Sequence, residues 1–585
     1  MKKIIVLDSG GQYCHLIANR VRRLGYYSEI KDLDVPIVEL QNAAGIIISG
    51  GPHSVYDENA PKYNQEIFQL DLPILGLCYG HQLLSQTLGG EVAPGKVKEY
   101  GITEMEIKQD PLFNNLAPRQ VVWMSHGDTV CTLPPGFKII GSSQDCKAAA
   151  ITNGKYYGLQ FHPEVTHTQQ GMKMLENFLN LCNIKKNWDI SSYLEQEIQQ
   201  IKDKVGDKKV FLLVSGGVDS VVCFALLNKA LGKENVLGLH IDHGFMRKNE
   251  SRQVQETLEE LGYNNLIVKN YELEFLQGVK DVYEPEEKRK IIGNLFIVVK
   301  DKALAELNLN PDDWILGQGT IYPDTIESGG TKNSVLIKTH HNRVDIITEL
   351  LKQGKVIEPL SQLYKDEVRE LGKKLGLPSE VISRHPFPGP GLAIRCLCND
   401  EERQLFPELE AQINAEIKPL QAKVLPIRSV GVQGDSRTYA HPLAIKGEAD
   451  WKTLENISTK LTNKYPQINR VVYLISGDIG YLQLEKASLT KERLNLLRQA
   501  DHIAMSILEL YNLSEKVWQM PTVLIPINGE SVVLRPICST DVMSASFADL
   551  PLSIVKEMAR EIRSLGISAV FYDLTHKPPG TVEWE

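Results

Sequence analysis

Short apolar runs separated by helical stretches set the rhythm of the first 180 or so residues. "KKIIVLD", "GIIISGG", "LPILGLC" and "YYGLQFH" each end in glycine or a polar residue. Runs of this length and ending predict buried strands of a layered α/β domain. "GMKMLENFLNLC" predicts the helix that closes this unit near Cys182. Residues 185–208 are polar with a helical rhythm and an Asp-x-Ser start, which predicts a connector helix. The alternation resumes at "KVFLLVSGG", with "NVLGLHIDHG", "NLIVKNY" and "DWILGQGT" as further strands, and ends near a proline-rich loop at 383–391.

The remaining stretch, 396–585, carries two similar passes. "RSVGVQGDSRT" leads through a helix to "INRVVYLI", and "ESVVLRPICSTD" leads through a helix to "ISAVFYDL". An offset of about a hundred residues fits a duplicated strand-helix-strand unit, with generic similarity between α/β segments as the alternative. The pattern therefore predicts two doubly wound three-layer α/β domains and a C-terminal α+β domain. The boundaries fall at 1–184, a connector at 185–208, 209–395 and 396–585.

Composition narrows the class. The chain has 585 residues, 42% hydrophobic and 23% charged, with a formal net charge of −9. That balance is ordinary for a globular protein, and its mixed charges argue against a broad nucleic-acid footprint. "MKKIIVLDSG" is too short an apolar start for a signal segment, and no run is long enough for a membrane span, so a cytoplasmic protein is expected. Nine scattered cysteines fit a reducing compartment. Cys396 and Cys398 have no second pair nearby, which speaks against a metal site there. His126 and His167 are expected to be surface or packing residues.

In "PILGLCYGHQLLSQ" a strand runs into Gly76-Leu77-Cys78-Tyr79-Gly80 and a helix starts at once. Small residues on both sides of Cys78 permit the sharp turn that lifts a nucleophile clear of a sheet, and the helix dipole there favours a thiolate. "LQFHPEV" places His162 and Glu164 on one side of an extended chain, a base and its orienter. "IISGGPHSV" adds a glycine corner able to hold an oxyanion. These residues resemble the class I glutamine amidotransferases over the whole first domain. The resemblance implies Cys78 as nucleophile, His162 as base, Glu164 as orienter, and the amides of Gly51 and Tyr79 as oxyanion donors.

"LVSGGVDSVV" (213–222) looks like a phosphate cradle without the lysine that holds a travelling terminal phosphate. It resembles the pyrophosphate loop of the N-type ATP pyrophosphatases, which cleave ATP between its α and β phosphates. The resemblance implies an ATP-binding loop of Ser215, Gly216, Gly217, Val218, Asp219, Ser220 and Val221, with Asp242 at the end of the next strand. Asp219 can hold Mg²⁺. His243 replaces the asparagine expected beside Asp242, and its role is open.

Several acceptors for released ammonia are excluded. A glutaminase with an N-terminal cysteine does not fit a chain that begins Met1-Lys2, a nitrilase-type domain does not fit the Cys, His, Glu order, and a tRNA-thiolating enzyme would show paired cysteines and a basic face. "EEKRKIIGNLF", "GQGTIYPDTIES", "IKTHHN", "SRHPFPGPGLAIR", "VGVQGDSRTY", "WQMP" and "KPPGTVEWE" together resemble the glutamine-hydrolysing GMP synthases almost end to end. That resemblance implies glutamine, ATP and xanthosine 5′-monophosphate (XMP) as small-molecule partners, with no nucleic acid or membrane. It implies XMP contacts from Arg289, Asp435, Gln519, Lys577 and Glu583. Arg289 and Lys577 suit the phosphate. His340 and His341 are expected to be structural or substrate contacts rather than a metal pair. The assembly is a homodimer or a monomer, and the duplicated C-terminal unit offers a reason for the latter.

Overall fold

A computed structural model describes residues 2–11, 13–307, 313–327, 355–382, 387–400, 404–433, 436–514, 516–538 and 545–585. The chain forms two compact units, Met1–Lys204 with Gly319–Gly376, and Val205–Gln318 with Leu377–Glu585. No helix among the described residues is long and apolar enough to cross a membrane. His340, His341 and the 337–342 segment lie outside the described residues, as do 383–386 of the proline-rich loop.

The first unit is built on a nine-stranded sheet. Its strands are β1 (Lys3–Asp8), β2 (Ser28–Asp32), β3 (Ala43–Ile48), β4 (Ile74–Leu77), β5 (Glu91–Ile107), β6 (Arg119–Thr132), β7 (Lys138–Ser143), β8 (Ala150–Thr152) and β9 (Tyr156–Leu159). They lie in the order β2-β1-β3-β4-β9-β8-β7-β5-β6. The first five in that order pair in parallel, and β1, β3, β4 and β9 inside the edge strand β2 are buried on both faces, which is why β1, β3 and β4 read as unbroken apolar runs. The other half is antiparallel. Its long β5–β6 hairpin alternates inward and outward residues and so gave no continuous apolar run.

Helix α1 (Cys14–Arg23) is amphipathic and lays Ile17, Ala18 and Val21 on the sheet. Its Arg22 is enclosed, with the rings of Trp188, Tyr322, Tyr364 and Tyr27 4.8, 5.1, 5.2 and 5.4 Å from the guanidinium carbon. Arg22 also donates to the Ser28 carbonyl at 2.9 Å and pairs with Glu367 at 3.3 Å. A buried guanidinium needs this combination of aromatic faces and a carboxylate to offset its lost hydration. The expected connector is a helix, Ile190–Val205.

In the second unit, β10 (Lys209–Leu213), β11 (Val236–Asp242), β12 (Leu266–Asn270) and β13 (Trp314–Gly317) are parallel in the order β12-β11-β10-β13. A second sheet follows in the C-terminal region, and its order has an internal symmetry. Strand 436–446 runs parallel to 468–476 across helix Trp451–Lys464, and strand 531–534 runs parallel to 570–573 across helix Leu552–Arg563. Outside them, 421–424 pairs antiparallel with 436–446, and 522–525 pairs antiparallel with 531–534. The two halves meet antiparallel at 468–476 and 570–573. Two copies of one strand-strand-helix-strand motif are thus joined back to back.

Near this join three charges are wholly buried. Asp573 Oδ2 receives Arg535 at 2.8 Å and Arg470 at 3.1 Å, and the Trp584 indole N–H donates to the same oxygen at 2.9 Å. Burial opposes ionisation of Asp573, but the two arginines hold its carboxyl below the usual carboxylate range. Burial first, and the neighbouring Arg535 second, pull Arg470 down to about 9. Asp573→Asn removes the carboxylate that both buried guanidinium groups share. We expect a loss of about 3–5 kcal/mol by denaturant titration, the usual consequence of breaking a buried charge pair.

Candidate functional site

The site of the first unit grows from the end of β4. Cys78 has φ +50° and ψ −104°, and helix α2 (Tyr79–Thr87) starts at the next residue. A non-glycine residue held there is strained, and such strain at a strand-to-helix turn raises a side chain out of the sheet. The flanking glycines are sterically required. A Cβ on Gly76 would stand 2.3 Å from the Gly80 carbonyl oxygen, and one on Gly80 would stand 2.3 Å from that of Ile48. As the first helical residue, Tyr79 has an amide without an acceptor in its own helix. Gly51 is held close to the chain at Ser9, where a Cβ would lie 2.5 Å from the carbonyl oxygen. Tyr79 itself is buried, which lifts its phenol to about 12.

His162 and Glu164 follow β9. His162 Nδ1 meets Glu164 Oε1 at 2.7 Å, and both residues are buried. The His162 carbonyl accepts from the Thr168 hydroxyl at 2.6 Å, and the Glu164 carbonyl accepts from Arg20 Nε at 3.0 Å. The Tyr13 ring packs edge-on against the imidazole, 5.2 Å between centroids. Burial alone would lower the imidazole pKa, yet Glu164 and the adjacent Cys78 outweigh it and raise His162 to about 10. Cys78, His162 and Glu164 are therefore brought together as a thiol, a readily protonated imidazole and an orienting carboxylate.

Other residues here gave no sequence signal. Gly50 lies between the two key side chains, so that a Cβ on it would stand 3.0 Å from His162 Cε1 and 3.5 Å from Cys78 Cβ. Gln160 Nε2 lies 3.7 Å from Cys78 Sγ and the Ser125 carbonyl 3.4 Å from it. Gln82 donates to the Asp128 carbonyl at 3.0 Å and to Gln160 at 3.3 Å. The i, i+4 spacing of Cys78 and Gln82 on one helix face was the available clue.

In the second unit the lysine-free loop joins β10 to helix α3 (Val218–Leu231). Gly216 has φ +86°, the turn only a glycine makes without strain. Ser215 Oγ lies 3.0 Å from Ser220 Oγ and accepts from the Gly217 amide at 3.3 Å. The loop thus closes a small ring of hydroxyls and amides at a helix N-terminus, a fitting place for anionic oxygens. Asp219 occupies the first turn of α3, beside Val218, Ser220 and Val221. Asp242 ends β11 and accepts from the Gly244 amide at 3.0 Å. His243 is a packing residue: it is buried among Phe245, Phe275 and Phe296, and burial lowers it to about 4. The proline-rich loop approaches the backbone, since a Cβ on Gly391 would stand 2.3 Å from the Phe245 carbonyl oxygen.

The five residues expected at XMP are distributed differently. Arg289, on helix Pro285–Glu306, donates to the main-chain oxygen of Glu585, while its neighbour Lys288 is buried against the Glu585 carboxylate. Glu583 accepts from Nε and Nη2 of buried Arg395, at 2.9 and 2.8 Å. Lys577 pairs through its backbone with Ala545, and Gln519 is buried with its backbone bridged to Ile537. Asp435 lies outside the described residues. The stretch that carries Lys577 and Glu583 is firmly docked. Val432 donates to Pro579 at 2.6 Å, Val430 donates to Trp584 at 2.9 Å, and the Trp584 ring is buried against Arg470.

A nucleophile elbow with a histidine–glutamate partner on a largely parallel sheet, joined to a lysine-free phosphate loop, defines a glutamine amidotransferase fused to an ATP-binding α/β domain. The family models agree: glutamine amidotransferase class-I matches residues 5–182, NAD synthase 190–297, and GMP synthase C terminal domain 408–479 and 506–584. A probable GMP synthase [glutamine-hydrolyzing] of Leptospira interrogans is 47% identical, with 100% of this chain and 99% of that protein covered. Proteins so named from Caenorhabditis elegans (described as probable) and Dictyostelium discoideum are 39% and 38% identical, covering 100% and 99% of this chain and 92% and 94% of theirs. The chain belongs to the glutamine-hydrolysing GMP synthase family.

Glu164 sets the charge of His162, so its loss has a definite sign. A histidine raised from 6.5 to about 10 contributes stability that is full below pH 6.5 and is lost as pH rises through about 10. The thermal midpoint of the native protein is expected to fall across that window more than that of Glu164→Gln. Equal slopes would remove Glu164 as the cause.

Proposed function

We propose that Cys78, His162 and Glu164 perform the glutamine hydrolysis of a glutamine-hydrolysing GMP synthase, and that the loop 215–221 holds the pyrophosphate that leaves ATP. The enzyme is a C–N ligase that aminates XMP to GMP with ammonia from glutamine, giving glutamate, AMP and pyrophosphate. The observation that carries the residue assignment is the strained Cys78 beside an imidazole held 2.7 Å from a buried carboxylate.

In this reading Cys78 Sγ attacks the side-chain amide carbon of glutamine. The amides of Gly51 and Tyr79 receive the oxyanion, and protonated His162 gives its proton to the departing ammonia. Water activated by the now neutral His162 then hydrolyses the thioester to glutamate. In the second unit, XMP attacks the α-phosphorus of ATP through its 2-oxygen, and ammonia displaces AMP from the adenylated carbon. Ser215, Gly216, Gly217, Val218, Ser220 and Val221 cradle the leaving pyrophosphate, and Asp242 faces the adenosine. The carboxylate of Asp219 and the loop hydroxyls are hard oxygen donors, the set that suits Mg²⁺. Bound there, the ion neutralises charge on the leaving group. Arg289, Gln519, Lys577 and Glu583, with Asp435, are assigned to XMP. Within that set Arg289 and Glu583 already engage Glu585 and Arg395, which holds them in fixed orientations.

The domains follow as a glutaminase (1–184), a connector (185–208), an ATP pyrophosphatase (209–395) and an XMP-binding domain (396–585). The duplicated C-terminal sheet favours a monomer, because the second motif occupies the edge that a second copy would otherwise take. Nine free cysteines favour the reducing cytoplasm.

Cys78→Ala is expected to lose GMP formation from glutamine by at least a thousandfold while keeping the rate with added ammonia, measured with XMP and ATP. AMP and pyrophosphate, in equal amounts with GMP, are the expected products, and release of ADP would overturn the assignment of the loop. Light scattering with and without XMP should give a mass near one chain, 65.6 kDa. A stable dimer would refute the monomer.

A further inference from the structure

Behind the glutaminase cleft, three chemically mismatched side chains converge in the interior. Glu99 of β5, His126 of β6 and Cys146 from the turn between β7 and β8 are each more than nine-tenths buried. Their ligand atoms, a carboxylate oxygen, an imidazole nitrogen and a thiol sulfur, all lie within 4.8 Å of one another. His126 Nδ1 is 2.9 Å from the Asp128 carbonyl, and Nε2 is 3.1 Å from Glu99 Oε2. Both partners are acceptors. With Nδ1 turned to the carbonyl, Nε2 is the nitrogen left to face Glu99 and the interior of the cluster.

We infer that Glu99, His126 and Cys146 form a binding site for a divalent transition-metal ion of the zinc class. Cys, His and carboxylate are a known donor mixture for zinc, with a fourth position left to water. Bond lengths of about 2.0–2.3 Å place neighbouring ligand atoms of a tetrahedral site roughly 3.3–3.8 Å apart. The 3.1 Å separation of His126 and Glu99 is already close to such an edge. Each ligand also has the outer partner that metal ligands need. The Asp128 carbonyl fixes the imidazole tautomer, the Ser143 hydroxyl donates to Glu99 Oε1 at 3.0 Å, and the Thr129 hydroxyl lies 3.6 Å from Cys146 Sγ. Ser143 Oγ further accepts from the Cys146 amide at 2.9 Å, which shapes the turn that presents the sulfur.

Cys146 is buried and lies in the cluster as a thiol. Coordination replaces the thiol proton by the cation, and the proton leaves to solvent. The ion would tie the β5–β6 hairpin to the β7–β8 turn. The same hairpin carries the carbonyls of Ser125 and Asp128 that contact Cys78 and Gln82, so the metal would brace the wall of the glutaminase cleft.

The test uses the full chain, stripped of metal by dialysis against chelator and titrated with Co²⁺, then with Zn²⁺ against a chromophoric chelator. One equivalent of cobalt should give a thiolate-to-metal charge-transfer band with tetrahedral visible absorption. The band should vanish in Cys146→Ser and persist in Cys78→Ala. Ser143→Ala, which leaves all three ligands in place, should weaken zinc binding on the order of tenfold to a hundredfold. Should Cys146→Ser fail to fold, the native titration and Ser143→Ala decide. No stoichiometric binding by the native chain, unchanged zinc affinity in Ser143→Ala, or a band retained in Cys146→Ser would overturn the site.

Discussion

One constraint underlies both chemistries: a buried parallel strand must end, and the chain must turn at once into a helix whose first amides have no acceptor. The parallel core creates this situation after β4 and again after β10. In the first case the turn is made by a residue with a side chain, Cys78 at φ +50°, and glycines at 76 and 80 keep the neighbouring backbones from colliding. In the second case Gly216 makes the turn at φ +86°, and Ser215 and Ser220 line the opening. The same geometry therefore suits the proposed nucleophile where the turning residue is a thiol, and the proposed anion cradle where it is bare. Local steric rules decide which chemistry the strand end supports.

Everything that makes His162 useful depends on the sheet that holds it. Its carbonyl is fixed by Thr168, its ring by Tyr13, and its Nδ1 by Glu164, whose own backbone is fastened by Arg20 of helix α1. Arg22, one residue beyond Val21 on that helix, is anchored in its aromatic cage. The orientation of the relay is thus carried through α1 to groups far from the chemistry. A buried carboxylate with one oxygen on the imidazole favours the cationic ring more than the same pair would in solvent.

The parallel half of the first sheet, the sharp turn at Cys78 and the turn at Gly216 were legible because each leaves a local mark: an apolar run, paired glycines, or serines around a glycine pair. The β5–β6 hairpin was not, since one face is polar and the period-2 pattern is diluted over long strands. Gln82, Gln160 and Gly50 escaped notice because their roles arise from contacts between separate strands and helices. His243 could be given no role from a one-letter difference, and its three phenylalanine neighbours come from the loop after β11 and from two separate helices that only the fold assembles. Of the residues expected at XMP, Arg289 and Glu583 are placed by the structure in ion-pair and hydrogen-bond contacts of their own. Their engagement with Glu585 and Arg395 was not legible, because it joins segments almost three hundred and two hundred residues apart.

The duplication seen in the C-terminal sequence acquires its physical meaning only in the sheet. Two motifs meeting antiparallel give a six-strand order that reads the same from either edge, and such a join could slip in register because its strands are apolar on both faces. Asp573 pins it. The residue lies at the end of the last strand, opposite Val472, and collects Arg470 from one motif and Arg535 from the other. A shift by one residue would send each of these side chains to the opposite face and strand two buried guanidinium groups without a counter-charge. Apolar replacements could match the packing, but they would not distinguish one register from the next. The buried charges act as the device that makes a symmetric-looking sheet single-valued, and the same carboxylate, through Trp584, holds the stretch that carries Glu583 in place.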